Sequence, residues 1–368
     1  MSNTNWLPIA VFVPLVLGIS TSHLLGKSPI KCDGDPFASK FQVYWNVPTD
    51  ECLRHDVSFE GLTDDFCVVQ NTNDKFRGDK IAILYDPGSF PTLKDDYDRH
   101  LERNGGVPQN GNLTGHLVEF QRDVDTWIPD ANFSGAAVID FELWRPIYRQ
   151  LWGKYEIYKN MSVRLEQRKH GDWHDKDMVN EEAERSYERA AREFLRRTLE
   201  FAQTIRPRAK WGYYDYPFCN NWSSRNRHDH CPDTIVKEND QMSWLYENMS
   251  LLLPSVYLSP DLDADQRLGL VRGRVQEAVR IANKSPNRGN VKVLPYYWYR
   301  YRKNNTFVEK TELKNTLEEV ARNGGDGVVI WGMRDDINSR GKCEDFLNYV
   351  WKVLGPVVLE VKAMKNTD

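Results

Sequence analysis

Seven short apolar runs recur along the chain, with helical stretches or long loops between them. The runs cover residues 41–45, 80–85, 136–141, 210–214, 251–257, 291–298 and 327–331. A strand of a parallel sheet is covered on both faces, so it reads as a continuous apolar, β-prone run of this length. The recurrence therefore predicts an α/β fold with parallel strands.

Apolar residues at helical spacing fill several of the intervals between these runs. Helices are predicted over residues 181–206, 264–282, 311–322 and 344–354. Pro207 is expected to end the first helix, and Gly355 with Pro356 to end the last. Because strand and helix alternate without a break in composition, we predict one distorted TIM-like (β/α) barrel of about seven parallel strands rather than two domains.

The third run leads into two carboxylates that lie two positions apart, Asp140 and Glu142. Side chains of a strand alternate between its faces, so both acids point the same way while Phe141 points the other way. Two neighbouring acids cannot both ionise cheaply, so one is expected to hold its proton to higher pH. Such a pair suits general acid catalysis on a glycosidic bond, although a solvated acidic strand end explains the spacing equally well.

The ends of the other runs help to decide between these explanations. In a barrel of this type the active site lies at the carboxyl ends of the strands. Acids and aromatic residues recur at these ends, at positions 85–86, 213–216, 257, 296–298 and 331. Packing alone predicts aliphatic residues or polar loops there. The recurrence therefore favours a site that cleaves carbohydrate.

Charge and motif content argue against several other classes of protein. The net charge is −4 with both signs interspersed, which argues against a nucleic-acid-binding protein. No Walker loop, dinucleotide fingerprint, G-x-S-x-G or H-E-x-x-H motif occurs, so no cofactor is expected. His228 and His230 lie in a polar loop between cysteines, where exposed loop residues are a better explanation than a metal site, and no metal is expected.

The N-terminus reads as a signal peptide, which we place at residues 1–22. Residues 6–19 form an uncharged apolar run of the length of a signal-peptide core, and small residues follow it. A signal anchor reaching Leu25 is the alternative, but Pro8, Pro14 and the modest length weigh against it. We therefore expect secretion, no stable membrane anchor, and a single domain formed by the remaining chain, residues 23–368.

Sequons and cysteines agree with secretion. Candidate N-glycosylation sites are Asn112, Asn132, Asn160, Asn221, Asn248, Asn283 and Asn304. The six cysteines include no C-x-x-C pair, which favours disulfides over zinc. A bond between Cys219 and Cys231 would close a short loop and one between Cys52 and Cys343 a long one, but spacing alone leaves the pairing open.

Eight motifs, in order along the chain, resemble the hyaluronidase family, and most closely the insect venom and salivary hyaluronidases. The resemblance covers about residues 41–356. The motifs are FQVYWNVPT at 41–49, IAILYDPG at 81–88, RNGGVPQ at 103–109, VIDFELWRPI at 138–147, WGYY at 211–214, LPSVY at 253–257, LPYYW at 294–298 and IWG at 330–332.

The resemblance implies a distorted barrel of about seven strands and endo-hydrolysis of the β-1,4 bonds of hyaluronan with retention of configuration. By motif, Glu142 matches the proton donor and Asp140 the residue that orients the 2-acetamido group of the substrate. Tyr214, Tyr257 and Trp331 match the aromatic residues that shape that subsite, and Tyr85 one that lines the cleft. If the acetamido oxygen is the nucleophile, the enzyme needs one acid/base and one carboxylate that holds the amide. Glu142 is then the group expected to have the raised pKa.

The resemblance also implies two disulfides, Cys52 to Cys343 and Cys219 to Cys231. Cys32 and Cys67 depart from the insect pattern, and we infer that they form the third pair.

A second departure follows Trp331 and Gly332. Where insect relatives tend to carry small hydroxyl residues, this chain has Met333 and Arg334. We hypothesise that Arg334 pairs with a glucuronate carboxylate of the substrate. The alternative is a surface arginine paired with Asp335 or Asp336.

Two other functions remain open from the sequence. One is a hydrolase of the same fold that prefers chondroitin or chondroitin sulfate to hyaluronan. The other is a non-catalytic glycan-binding protein, which would require a defect elsewhere because Glu142 is present. A monomer is the default expectation, and a role as a venom or saliva spreading factor is implied only by the resemblance.

Overall fold

Strands and helices alternate along most of the chain. The computed structural model describes residue 32 and residues 40–96, 99–171, 175–223 and 226–367, so the expected signal peptide lies outside the described residues. The strands are β1 (Gln42–Asn46), β2 (Ile81–Tyr85), β3 (Thr92–Asp96), β4 (Arg99–Arg103), β5 (Ala136–Asp140), β6 (Lys210–Tyr213), β7 (Trp222–Ser223), β8 (Asn226–Arg227), β9 (Leu251–Leu252), β10 (Lys292–Val293), β11 (Tyr296–Trp298) and β12 (Gly327–Trp331). The α-helices are α1 (Leu62–Phe66), α2 (Leu113–Trp127), α3 (Glu156–Lys169), α4 (Lys176–Ile205), α5 (Asp233–Gln241), α6 (Ser243–Tyr246), α7 (Ala264–Lys284), α8 (Lys310–Arg322), α9 (Arg340–Tyr349) and α10 (Gly355–Thr367).

Parallel strands form three separate hydrogen-bonded groups, two of three strands and one of two strands. One has the order β2-β5-β6, one has the order β1-β12-β11, and the third pairs β9 with β10. Single parallel bridges from Tyr214 to Leu253 and from Ser255 to Tyr296 connect them. The predicted α/β class with parallel strands is thus confirmed.

Prolines explain why the sheet is interrupted. The predicted strands over 251–257 and 291–298 are shorter in the structure, and Pro254 and Pro295 lie at the interruptions. Proline has no N–H group and cannot donate to a ladder. In the described part of the chain no ladder joins β1 to β2 either, so hydrogen bonds do not close the sheet on itself.

A loop residue and a side chain contact the facing edges of β1 and β2, which no ladder joins among the described residues. Val69 bridges to Tyr44 on β1, while the Arg77 guanidinium donates from Nε to the Ile83 carbonyl of β2 at 2.6 Å. These contacts satisfy backbone groups that a neighbouring strand would otherwise pair.

The alternation of side chains along β5 divides the core. Ala136 and Val138 pack in an inner cluster with residues of the surrounding strands. Ala137 and Ile139 belong to an outer cluster under the helices. Asp140 follows on the inner face, at the carboxyl end of the strand.

Helix α4 begins five residues before its predicted start. The Asp175 side chain caps it by accepting from the Asp177 N–H at 2.9 Å. The helix ends at Ile205, before Pro207, as predicted. No helix among the described residues is long and apolar enough to span a membrane.

The predicted end of the last helix is wrong. Helix α9 continues into a π-helical turn, Val350–Leu354, and then into α10. The Gly355 N–H donates to the Val350 carbonyl five residues earlier, and the wider turn places Pro356, which has no N–H, in the first turn of α10. A Cβ at Gly355 would lie 2.6 Å from the Phe66 ring, so close packing also favours glycine here.

The structure contains three disulfides, Cys52–Cys343, Cys219–Cys231 and Cys32–Cys67, in the pairing inferred from the sequence. The first spans 291 residues and joins the segment after β1 to α9, whereas the second spans 12 residues. Both pairs are buried.

Removing the long-range disulfide is expected to destabilise the fold more than removing the short-range one. The chain-entropy model assigns the longer loop roughly 2–3 kcal/mol more stabilisation. We predict a larger loss of unfolding free energy for Cys52→Ala with Cys343→Ala than for Cys219→Ala with Cys231→Ala. Denaturant unfolding under non-reducing conditions measures it, and equal losses would contradict the prediction.

Asp74 is a buried acid beside the segment that follows β1. Its Oδ1 accepts from the Thr49 hydroxyl at 2.8 Å and from the Gln70 amide at 2.6 Å, while Oδ2 has no partner in the described structure. Burial raises the pKa of Asp74 to about 7 and outweighs these two hydrogen bonds.

The raised pKa of Asp74 predicts a pH-dependent loss of stability. The unfolded chain ionises this group near pH 4, so its favourable contribution is complete below that pH and is lost as pH rises to about 7. We expect Asp74→Asn to match the wild type at pH 4 and to be more stable at pH 8 by up to about 4 kcal/mol, in denaturant unfolding.

The matched control is Asp79→Asn. Hydrogen bonds from Thr72 and Lys80 lower the pKa of Asp79 despite its partial burial, so this variant is expected to lose stability at neutral pH. If Asp74→Asn changed the free energy of unfolding equally at all pH values, the raised pKa of Asp74 would be refuted.

Candidate active site

The two carboxylates of the D-x-E motif lie at the mouth of the parallel strands. Asp140 is the last residue of β5 and pairs in register with Tyr85 of β2, and Glu142 follows in the loop. Both line a cavity of about 360 Å³. Tyr214, Tyr257 and Trp331 line it as well. The structure therefore brings together the acids and the aromatic residues of the predicted acetamido subsite.

Both acids hold their protons to higher pH than usual. Burial raises the pKa of Asp140 well above its ordinary value, and the nearby charges of Glu142 and Asp215 add to this. Burial also raises the pKa of Glu142, and Asp215 adds to it, while Arg145 opposes it. The sequence attributed the raised pKa to Glu142 alone, whereas the structure raises the pKa of both.

The two acids differ in access. Asp140 is half-buried in the cavity, whereas Glu142 keeps an exposed surface there although protein atoms surround much of its carboxyl group. The Tyr155 hydroxyl donates to the Glu142 backbone carbonyl at 2.8 Å and holds the loop in place. Glu142 is thus the more accessible of the two acids to a ligand in the cavity.

Aromatic rings form one wall of the cavity. The rings of Tyr257 and Trp331 stack with centroids 5.4 Å apart, and Tyr214 lies 6.4 Å from Tyr257. Trp298 supports Trp331 edge-on at 5.7 Å. Such a rigid apolar wall beside two acids suits a small apolar group attached to a polar sugar.

Tyr85 belongs to an adjacent cavity of about 430 Å³. The Trp331 indole N–H donates to the Tyr85 hydroxyl at 2.9 Å, and Trp331 lines both cavities. The Arg77 guanidinium lies over the rings of Phe76 and Tyr85 at 5.0 and 5.4 Å. We call the two cavities together the cleft.

Arg334 lines the same cavity as Tyr85. Its side chain is 72% exposed, and its Nη2 lies 3.4 Å from Oε1 of Glu51. The alternative that Arg334 pairs with Asp335 or Asp336 is wrong. Asp336 is buried and accepts instead from the Trp298 indole N–H at 2.9 Å.

The sequence did not identify Arg145 and Asp215 as parts of the site. Arg145 is buried and its Nη2 lies 2.6 Å from Oδ2 of Asp215, and both residues line the first cavity. Arg274 reaches the same cavity from α7. Arg145 lies in the motif at 138–147, and Asp215 is one of the acids noted at the strand ends, but the sequence assigned neither a role. Arg274 had no signal of either kind.

The sequons differ in accessibility. Asn221 is 1% exposed, donates from Nδ2 to the Leu270 carbonyl at 3.1 Å, and accepts at Oδ1 from Arg274. A glycan on Asn221 does not fit this arrangement, so we no longer count it as a candidate. The candidates with exposed side chains are Asn112, Asn132, Asn160, Asn248, Asn283 and Asn304.

The described residues contain no group of three His, Cys, Asp or Glu side chains that could hold a metal ion. His228 and His230 are exposed, and their rings stack at 5.1 Å.

Comparisons with known proteins agree with the motifs. The family model described as hyaluronidase matches residues 35–367. Hyaluronidase A of Vespula vulgaris is 48% identical over 328 residues, which cover 89% of this chain and 98% of the relative. The hyaluronidase of Apis mellifera is 44% identical over 358 residues, which cover 97% of this chain and 93% of the relative.

A solved structure is also similar. It is bee venom hyaluronidase in complex with a hyaluronic acid tetramer, with a TM-score of 0.85, 46% identity, and coverage of 87% of this chain and 99% of that one. The match of the family model and the similarity to wasp and bee enzymes over most of the chain show that this protein belongs to the hyaluronidase family of glycoside hydrolases.

Proposed function

We propose that the protein hydrolyses hyaluronan at its β-1,4 N-acetylglucosaminyl bonds, with retention of configuration and with the substrate acetamido oxygen as nucleophile. The observation that carries the proposal is the arrangement of the cavity. One exposed acid, Glu142, and one half-buried acid, Asp140, line the same cavity beside a stacked aromatic wall. The hyaluronic acid tetramer in the similar bee venom enzyme supports hyaluronan as the substrate.

Glu142 is the general acid and base in this mechanism. Its raised pKa favours the protonated form, which can protonate the leaving glycosidic oxygen. The resulting carboxylate then takes a proton from the water that opens the cyclic intermediate. Exposure within the cavity provides the access that both steps require.

Asp140 holds the acetamido group. Its carboxylate accepts from the amide N–H and stabilises the positive charge that develops when the acetamido oxygen attacks the anomeric carbon. Burial disfavours the Asp140 carboxylate, and the positive charge that forms beside it offsets that cost. The residue thus acts on the transition state more than on the bound substrate.

The aromatic wall restricts the position and orientation of the acetamido group. The Tyr257 hydroxyl donates to the acetamido oxygen, while Tyr214 and Trp331 enclose the methyl group. The stacking of Tyr257 on Trp331 and the support of Trp298 leave these rings little freedom. A preorganised pocket of this kind keeps the nucleophilic oxygen near the anomeric carbon.

The hexosamine of chondroitin differs from that of hyaluronan at C4 and is often sulfated. We propose hyaluronan as the preferred substrate, and digestion of hyaluronan and chondroitin sulfate side by side by one enzyme preparation measures the preference.

Arg334 is proposed to bind a glucuronate carboxylate in the cavity next to the catalytic one. It is exposed, its contact with Glu51 is 3.4 Å long, and Tyr85 and Trp331 line the same cavity. Arg77 adds a second positive charge there, and the structure shows no carboxylate paired with it among the described residues. Two guanidinium groups beside aromatic rings suit an acidic sugar.

The remaining proposals concern the whole chain. We propose a distorted (β/α) barrel of about seven parallel strands, which the ladders and the bridges between them support. We also propose that residues 23–368 act as one catalytic domain, that the protein is a secreted monomer, and that it spreads venom or saliva through tissue. The disulfides and exposed sequons support secretion.

Replacing the proton donor separates an enzyme from a glycan-binding protein. We expect Glu142→Gln to lower kcat on hyaluronan by about 10³-fold or more, because the amide cannot donate a proton to the leaving oxygen. Asp140→Asn is expected to lower kcat by about 10²- to 10³-fold, because it removes charge stabilisation only. Release of reducing ends measures both. Wild-type rates in Glu142→Gln would refute the mechanism.

Removing the Arg334 guanidinium is expected to weaken substrate binding without affecting the chemical step. We predict that Arg334→Ala raises KM for hyaluronan about two- to fivefold at low salt and less at high salt, where screening weakens the ion pair. The matched control is Arg340→Ala, which removes an exposed arginine paired with Glu344 outside the cleft. Equal or better turnover by Arg334→Ala at low salt would rule out the role.

A further inference from the structure

Asp215 occupies an unusual backbone position directly after Tyr214. Its φ of 62° lies in the left-handed region, which aspartate and asparagine adopt more readily than most residues. Its N–H donates to the Leu253 carbonyl at 2.9 Å, so the turn is held between neighbouring strands. This conformation directs the Asp215 carboxylate to Arg145, at 2.6 Å.

Arg145 is a buried cation three residues after Glu142. Its guanidinium lies 4.5 Å above the Phe218 ring, and the Tyr187 hydroxyl donates to its backbone carbonyl at 3.0 Å. Burial and these contacts leave the Arg145 side chain little room to move away from the cavity that it shares with Glu142.

Glu142 therefore lies among charges of both signs. A guanidinium without a counter-ion would favour the Glu142 carboxylate and remove the proton that the general acid must donate. Asp215 supplies the counter-ion at hydrogen-bonding distance. The groups that act on or contact Glu142 are the cations Arg145, Lys154 and Arg302, the acids Asp140 and Asp215, and the hydroxyls of Tyr155 and Tyr214.

We propose that Asp215 is a positioning residue that neutralises Arg145 and thereby sets the pH range over which Glu142 can act as the acid. The inference rests on the proposed role of Glu142. The directions of the pKa shifts agree with it. After burial, Asp215 contributes most to the raised pKa of Glu142, and Arg145 contributes most against it.

The test is the pH dependence of kcat for Asp215→Asn. Asparagine keeps the shape, tolerates the left-handed backbone and can still accept from Arg145, so only the charge is lost. The charge raises the pKa of both Asp140 and Glu142. In the profile, the acidic limb reports ionisation of Asp140 and the basic limb ionisation of Glu142. We therefore expect both limbs to move to lower pH by about one unit, with the maximum kcat largely retained. On the basic limb this is about a tenfold loss of activity at fixed pH.

Two further variants make the result decisive. Arg145→Gln removes the opposing charge, so the basic limb is expected to move to higher pH. This reciprocal shift tests the proposal even if Asp215→Asn does not fold. Asp86→Asn is the matched control, because Asp86 also has a positive φ, of 45°, and forms a two-pronged ion pair with Arg103 at 2.6 and 2.7 Å. Its loss is expected to leave the basic limb unchanged.

The outcomes distinguish this proposal from the proposed function. A lower maximum with unmoved limbs in Asp215→Asn, together with an inactive Glu142→Gln, would leave Glu142 as the acid and overturn only the role of Asp215. An equal basic-limb shift in Asp86→Asn would also overturn that role. An active Glu142→Gln would overturn both proposals.

Discussion

The placement of two acids, Asp140 and Glu142, in one cavity at the carboxyl end of β5 is the constraint on which the site depends. Charged side chains avoid a parallel strand interior, and an acid placed there ionises only at raised pH. Alternation along the strand sends Asp140 inward above Val138, and the chain leaves the strand immediately afterwards. Glu142 therefore lies beside Asp140 but outside the sheet, where it is exposed.

The surroundings make these two acids unequal. Aromatic rings from three different strand ends enclose the space next to Asp140 and leave Glu142 open to the cavity. Burial raises the pKa of both carboxyls. The accessibility of each carboxyl then decides which one can exchange a proton with a ligand. One strand end thus yields two roles from two chemically similar residues.

Two aspartates that follow strands of the sheet form ion pairs with arginines from other segments. Arg145 with Asp215 and Asp86 with Arg103 each combine a strand-end aspartate of positive φ with an arginine from another segment. Buried or half-buried pairs of this kind contribute little net stability, because desolvation offsets the attraction. Such pairs also change the pKa of ionisable groups nearby. The Arg145–Asp215 pair acts in this way on Glu142, where Asp215 raises the pKa and Arg145 lowers it.

Sequence pattern predicted the parallel strands, because burial between helices imposes apolar runs that can be recognised directly. It also predicted α4, α7, α8 and α9, but not α2 or α3. Motif order pointed to two acids and four aromatic residues that the structure places in the cleft, and the resemblance implied two of the three disulfides. The sequence-based predictions failed where a proline interrupted an apolar run and where a helix continued past residues that usually end one. Pro254 and Pro295 interrupted predicted strands, and Gly355 with Pro356 did not end the last helix.

By itself, the sequence determined the strand pattern and which residue types stand at each strand end, since these follow from neighbours along the chain. Only the tertiary structure decided which of them meet. Arg145 and Asp215 are 70 residues apart, and Trp331 and Tyr85 are 246 apart. The pKa of an acid depends on burial and on charges in space, so the raised pKa of Asp140 and the neutralisation of Arg145 emerge only when the chain folds.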